Sequence, residues 1–179
     1  GLVHPTQVGE ALRPDRVLII IMAGNNVSGS RQPLAQIVPI APRNGLLFQV
    51  DGVQAAGAIP LDVQAMGVHM LSLSAHKFYG PKGVGALFLK KGSPFSPLIR
   101  GGAQERGRRG GTANIPAIVG MGAATERAAK RMNEEAPRLS ALRDTLIAVL
   151  AHALPSCRPP GPPGERRLAG HAHFSLPRP

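Results

Sequence analysis

Cysteine is nearly missing from this sequence: Cys157 is the only one in 179 residues, so no internal disulfide can form and nothing in the covalent chemistry argues for export. Tryptophan is absent, tyrosine occurs once, and positions 96–173 hold no aromatic residue at all. Acidic residues are scarce as well, 10 against 21 Lys and Arg, which leaves a formal net charge of +11. Clustered cations bind phosphates with little regard to sequence, so an excess of this size raises nucleic acid and membrane surfaces as partners. The excess gathers at residues 100–109 and in a tail from Arg158 onward, where Arg alternates with Pro and Gly. With no rings there to stack on bases, nucleic acid is not the expected partner. Long hydrophobic runs are lacking too. The longest, residues 17–23, falls far short of the roughly 20 apolar residues of a membrane-spanning helix. No basic stretch followed by an apolar signal core opens the sequence, and a cytoplasmic location is expected.

Hydrophobic residues make up 43% of the chain and charged residues 17%, the balance of a globular protein with a buried core. The length suits one domain, or one domain and part of another. Residues 5–13 carry Val8, Ala11 and Leu12 at helical spacing before Pro14. Residues 17–22 form an apolar, β-branched run typical of a strand covered on both faces, and Asn25, Asn26 and Gly29 mark a loop. Residues 34–41 have helical spacing that Pro39 and Pro42 shorten or kink. A strand at 46–50 ends on Asp51, a helical turn follows at 63–66, and a further strand is expected at 70–73. This alternation predicts crossover units and hence an α/β fold. Residues 84–89, after the Gly-Pro-Lys-Gly turn at 80–83, read as an antiparallel partner or an edge strand. Two helices are expected beyond, at 115–132 and at 139–154, the second with Leu139, Leu142, Leu146, Val149 and Leu150 on one face. Pro-rich residues 159–164 read as a turn or linker, and residues 171–176 as a last strand.

Two residues stand out for chemistry. Lys77 follows an apolar strand and precedes a glycine-rich turn, with Ser74 and His76 beside it as phosphate ligands. A lysine attacks an aldehyde only once it has lost a proton, which a desolvated or cation-rich setting favours. Most lysines in such loops are solvated surface residues, and that reading stays open on spacing alone. Asp51 stands at the C-terminal end of a buried strand, where ligands of open α/β sheets collect. A carboxylate there can keep a pyridine nitrogen protonated, and the plainer alternative is an aspartate capping the next turn.

The chain resembles the central part of a cysteine desulfurase, in the class-V aminotransferase group of fold-type I pyridoxal-phosphate enzymes. The resemblance runs in order from Gly1 to about Leu150. It covers Val50-Asp-Gly-Val-Gln-Ala55, Ser72-Leu-Ser-Ala-His-Lys-Phe-Tyr-Gly-Pro-Lys-Gly83 and Gly101-Gly-Ala-Gln-Glu-Arg-Gly-Arg-Arg-Gly-Gly-Thr112. It implies part of the pyridoxal-phosphate-dependent transferase large domain, a mostly parallel sheet with flanking helices, over residues 1–132, and the start of a small α+β domain over 133–179. It also implies roles. Lys77 forms the Schiff base with pyridoxal 5'-phosphate, Asp51 pairs with the pyridinium nitrogen and Gln54 hydrogen-bonds the phenolic oxygen. Ser74 and His76 hold the phosphate, Thr112 reaches the phosphate of a neighbouring subunit in a homodimer, and Asn26 lies near the ring and the substrate. No metal-ligand set is assigned.

The implied reaction takes L-cysteine to L-alanine and passes sulfur through an enzyme cysteine to an acceptor or scaffold protein, for iron-sulfur clusters or other sulfur cofactors. Selenocysteine as substrate, in a selenocysteine lyase, stays open. The family's glycine/threonine phosphate loop and its catalytic cysteine fall outside the matching residues, and Cys157 sits where the family has a variable loop. The chain is therefore expected to be incomplete and inactive alone. Asn25-Asn26-Val27-Ser28-Gly29 replaces the family's Asn-Asn-Glu-Ile-Gly. A catalytically dead fragment acting as a dimerisation or interaction module is the alternative from another class.

Overall fold

The computed structural model describes residues 1–158 and 161–176. Its centre is a four-stranded sheet in the order β1-β2-β3-β4, built from β1 (Leu18–Met22), β2 (Leu47–Asp51), β3 (Met70–Ser74) and β4 (Gly85–Leu89). The first three strands run parallel, with Met22 beside Asp51 and Asp51 beside Ser72. β4 pairs antiparallel with β3 and ends the row, so the two readings left open for residues 84–89 both hold.

Parallel neighbours need crossovers, and these are short here. Between β1 and β2 lie α2 (Leu34–Ile37) and α3 (Ile40–Arg43), two single turns that Pro39 and Pro42 keep from merging into one regular helix. Between β2 and β3 lies α4 (Val63–Met66), whose start is fixed by Asp62 accepting hydrogen bonds from the amides of Gln64 and Ala65 at 2.9 and 3.0 Å. α1 (Pro5–Glu10) stops three residues before the end its spacing suggested. Val8 of α1 and Ile37, Val38 and Ala41 of the crossover meet Ile19, Phe48, Val50 and Leu71 of the strands in one core. Phe48, Val50, Ile37 and Ala41 are fully buried.

The second half departs from expectation. In place of two helices, a single helix α5 runs from Ile115 to Ala153, 39 residues or about 58 Å at 1.5 Å per residue. Pro137, inside it, has no amide hydrogen for the carbonyl one turn back, yet the helix continues. Glu135 spans the weak point, paired with Arg131 at 2.6 Å on one side and with Arg138 at 2.6 Å on the other. The helix is largely exposed, so water can serve the freed carbonyl. Residues 132 and 133, where a domain boundary is expected, lie within this helix.

Short strands β5 (Ala103–Gln104) and β6 (Arg109–Gly110) form a small basic hairpin ahead of α5. Of the Pro-rich stretch expected as a turn, residues 159 and 160 lie outside the described residues, and a tight turn follows at Gly164–Arg166. The strand expected at 171–176 is reduced, among the described residues, to one bridge between Ser175 and Arg158. The tail is nonetheless fastened to the first half. Leu168 donates to the carbonyl of Gly29 at 2.8 Å, Arg31 donates through its amide to the Arg166 carbonyl and through its side chain to the Glu165 carbonyl, both at 2.8 Å, and Leu168 is fully buried beside Gly24. No helix of the described residues is long and apolar enough to cross a membrane.

Candidate active site

The parallel strands deliver three residues to one edge of the sheet: Met22, Asp51 and, through β3, Ser74. β3 then runs straight into a tight turn, Ala75–Phe78, which carries His76 and Lys77. Tyr79 closes the turn in the left-handed region (φ 67°) and points almost wholly into solvent, at 95% exposure. A tyrosine in that conformation stores strain, which is found where neighbouring structure over-determines the backbone.

That neighbouring structure is α5. Gly120, Ala124 and Ala128 recur every four residues and so share one face of the helix. A Cβ on Gly120 would come within 2.7 Å of Pro81, one on Gly80 within 3.3 Å of Ala124, and one on Gly57 within 3.2 Å of Ala128. Small residues on both sides let the helix lie directly against the Lys77 turn and the loop after β2. The apolar sequence pattern of α5 therefore fixes the place of Lys77.

Between these elements opens a cleft of about 840 Å³. Gln54 and Lys77 line it, together with Tyr79, the middle of α5 and residues 168–171 of the tail. Asp51 is half-buried at the end of β2. Its Oδ1 accepts a hydrogen bond from the Val53 amide at 2.9 Å, the capping role that the sequence left open, and Oδ2 has no hydrogen bond among the described residues. Gly52 follows it so tightly that a Cβ there would meet Leu71, Leu73 and the Ser72 carbonyl at 3.2 Å. Ser74 Oγ and His76 Nδ1 lie 2.9 Å apart, so hydroxyl and imidazole form one polar pair beside Lys77.

Of the seven expected site residues, Gln54 and Lys77 line the cleft, whereas Asn26, Asp51, Ser74, His76 and Thr112 do not. Thr112 is exposed ahead of α5, and Asn26 is exposed in its loop. It is Asn25 that shapes this loop, accepting from the amides of Val27 and Ser28 at 2.9 Å and donating to Met22 Sδ at 3.4 Å.

Several cleft residues have no signature in the sequence. Arg127, Arg131 and Arg138 reach it from α5 and are balanced in part by Glu134 and Glu135. The Arg138 hydrogen bond holds the Glu135 carboxyl below its usual range, and Glu135 raises Arg138 in turn. His171 enters from the tail, 94 positions from Lys77, and no local motif points to it. Desolvation, followed by the charges of Lys77 and Arg167, holds its imidazole below the ordinary value. Tyr79 had a signal: it is the sole tyrosine, inside the most specific motif.

The residues present fit pyridoxal phosphate by their chemistry. A carboxylate with one open oxygen, an amide, a hydroxyl–imidazole pair and an amine occupy successive strand ends of one sheet.

The chain resembles known proteins along nearly its whole length. The family described as Aminotransferase class-V matches residues 1–178. Cysteine desulfurase IscS of Dictyoglomus turgidum is 44% identical over 176 residues, 98% of this chain and 44% of that protein. Cysteine desulfurase NifS of Azotobacter vinelandii is 43% identical over 165 residues, 92% of this chain and 41% of that protein. Among solved structures, the NifS-like protein from Rickettsia africae superposes with a TM-score of 0.91 at 29% identity, covering all of this chain and 50% of its own. SspA, solved in complex with cysteine, is 46% identical with a TM-score of 0.67, over 70% of this chain and 37% of its own. The chain spans less than half the length of the curated relatives it matches.

Proposed function

This chain belongs to the class-V aminotransferase family, and from that premise we propose that it is the central portion of a pyridoxal-phosphate-dependent cysteine desulfurase. The observation that carries the proposal is Lys77 on the turn leaving β3, sharing a cleft with Gln54 while Asp51 stands on the adjacent strand end.

When bound, pyridoxal phosphate supplies an electron sink for negative charge at the substrate Cα. The chain's own residues would prepare and hold it. The open Asp51 Oδ2 would keep the pyridine nitrogen protonated, Gln54 would donate to the phenolic oxygen, and Ser74 with His76 would bind the phosphate. Lys77 would anchor the cofactor through its amine and carry a proton to and from the substrate Cα. Asn26 would face ring and substrate, and Thr112, exposed ahead of α5, would serve the phosphate of a second subunit. L-cysteine is the proposed substrate, supported by the names of the relatives and by SspA bound to cysteine. Sulfur transfer to an acceptor or scaffold protein, for iron-sulfur cluster assembly, belongs to the same reading, as do a cytoplasmic location and a division into domains at 1–132 and 133–179.

Cys157 is buried in the tail and does not line the cleft. The expected behaviour is cofactor binding without desulfuration by this chain alone. Incubation with pyridoxal phosphate should give a visible absorption band, and borohydride reduction should tag the peptide containing Lys77. Lys77→Ala should lose both. A wild-type chain that gains no tag at Lys77 sinks the proposal.

A second reading, an interaction module that pairs with another copy, is favoured by Leu142, Leu146 and Val149. They form an apolar row on α5 and are 57%, 47% and 59% exposed. Sedimentation should show a dimer that Leu146→Glu dissolves, and a monomer at all concentrations removes this reading.

A further inference from the structure

His171 is a cleft residue that the proposed reaction leaves unused. It is fixed from three directions. Its amide donates to the Leu168 carbonyl at 3.2 Å, Leu168 itself donates to Gly29, and the His171 Cβ lies 2.4 Å from where a Gly29 Cβ would stand. Gly29 must therefore be glycine for His171 to seat there. One ring nitrogen, Nδ1, is enclosed and has no hydrogen-bond partner among the described residues. An enclosed polar nitrogen without a partner is uncommon in a native structure and calls for an explanation.

The charged groups around it come from every element that forms the cleft. Lys77 faces it from the turn after β3, and Arg167 from its own tail. Arg127, Arg131, Arg138, Glu134 and Glu135 belong to α5, and the loop carrying Gly29 contributes no charge at the contact. Glu135 is already engaged by Arg131 and Arg138, and Arg167 by the Pro162 carbonyl at 2.9 Å. Lys77 is exposed, long and without a hydrogen bond among the described residues, which makes it the donor available to the ring.

We propose that His171 is a positioning residue for Lys77, its imidazole accepting a hydrogen bond from Nζ and holding that amine in the cleft. A neutral imidazole can do this, and burial beside cations favours the neutral form. On protonation the ring becomes a second cation and releases the lysine. The inference deepens the reading of Lys77 as the cofactor lysine and rests on it for its bearing on catalysis.

The first test needs no cofactor. The imidazole resonance of His171 is titrated by NMR in the full chain, in Lys77→Met and in Arg127→Ala. Its midpoint should rise in Lys77→Met and stay in place in Arg127→Ala, and an unmoved midpoint in Lys77→Met overturns the inference. The second test follows retention of pyridoxal phosphate at Lys77 against pH. At pH 8, His171→Ala should weaken retention by about two- to tenfold, the range of one hydrogen bond, and His171→Gln should restore it. In the wild type retention should fall on the acid side of the His171 midpoint, and in His171→Gln this fall should be missing. Equal retention by His171→Ala and wild type overturns the inference. If the wild type captures no cofactor while the Lys77→Met midpoint still moves, the contact stands and the cofactor reading fails.

Discussion

The two halves of this chain are built on different principles. Residues 1–92 bury Phe48, Val50, Ile37 and Leu71 between strands and crossover helices, so that half owns a hydrophobic core. In the second half α5 spends 39 residues and buries only Ala117 and Arg143. Its hold on the rest comes from a seam of small side chains, from Leu168, and from Arg143, which is 6% exposed and donates to the Leu168 carbonyl at 3.3 Å. One half is held by volume, the other by placement. The difference locates the chemistry: the core fixes the strand ends bearing Asp51 and Ser74, and the fastened half adds the opposite wall of the cleft.

The contrast can be broken most directly at Phe48. Phe48→Ala should remove about 3–5 kcal/mol by opening a cavity in a fully buried site, read as a large fall in the urea midpoint. A loss below about 1 kcal/mol would show that the sheet half lacks the close packing given to it here. Leu168→Ala sharpens the contrast. It should cost about 2–4 kcal/mol and release the tail, so that hydrogen exchange rises at residues 161–176 while the sheet amides stay protected.

A pH test acts on the sheet half alone. The amide of Phe48 donates to His69 Nδ1 at 3.1 Å, and desolvation, with a lesser contribution from Lys90, holds His69 below its ordinary value of 6.5. The unfolded chain then binds a proton that the folded one refuses. Stability is full above about pH 6.5 and declines as the pH falls from there toward the folded value. His69→Gln should flatten that decline in thermal melts, and an unchanged slope would assign it elsewhere. Smallest of all, Leu146→Ser on the exposed row of α5 should change monomer stability by no more than about 0.5 kcal/mol.

Strand positions were legible as short apolar runs bounded by turn residues, and residues 17–22, 46–50, 70–73 and 84–89 all became strands within a residue or two. The cover expected on both faces of 17–22 is not there, since Ile20 of β1 is exposed, as is Leu87 of β4. The two helices expected at 115–132 and 139–154 are one, and the ion pairs of Glu135 span the point where Pro137 lacks a hydrogen bond. The last strand failed because residues 171–176 have the pattern of a strand and, among the described residues, a partner only at Arg158. Of the cleft residues, Gln54 and Lys77 were legible through motifs. His171 and the α5 arginines were not, since long-range packing alone brings them to Lys77. In the Asn25–Asn26 pair, the residue that organises the loop proved to be the neighbour of the one chosen.

The unbroken course of α5 also has a mechanical side. A beam about 58 Å long crosses the boundary expected between two domains, so those parts are not joined by a slack tether. Any swing of the tail wall relative to Lys77 must flex a rigid rod, and the rod is weakest where Pro137 omits a hydrogen bond. Opening and closing of the cleft thereby becomes an elastic deformation with a restoring force, its stiffness set by one imino acid and by the Arg131–Glu135–Arg138 brace laid across it.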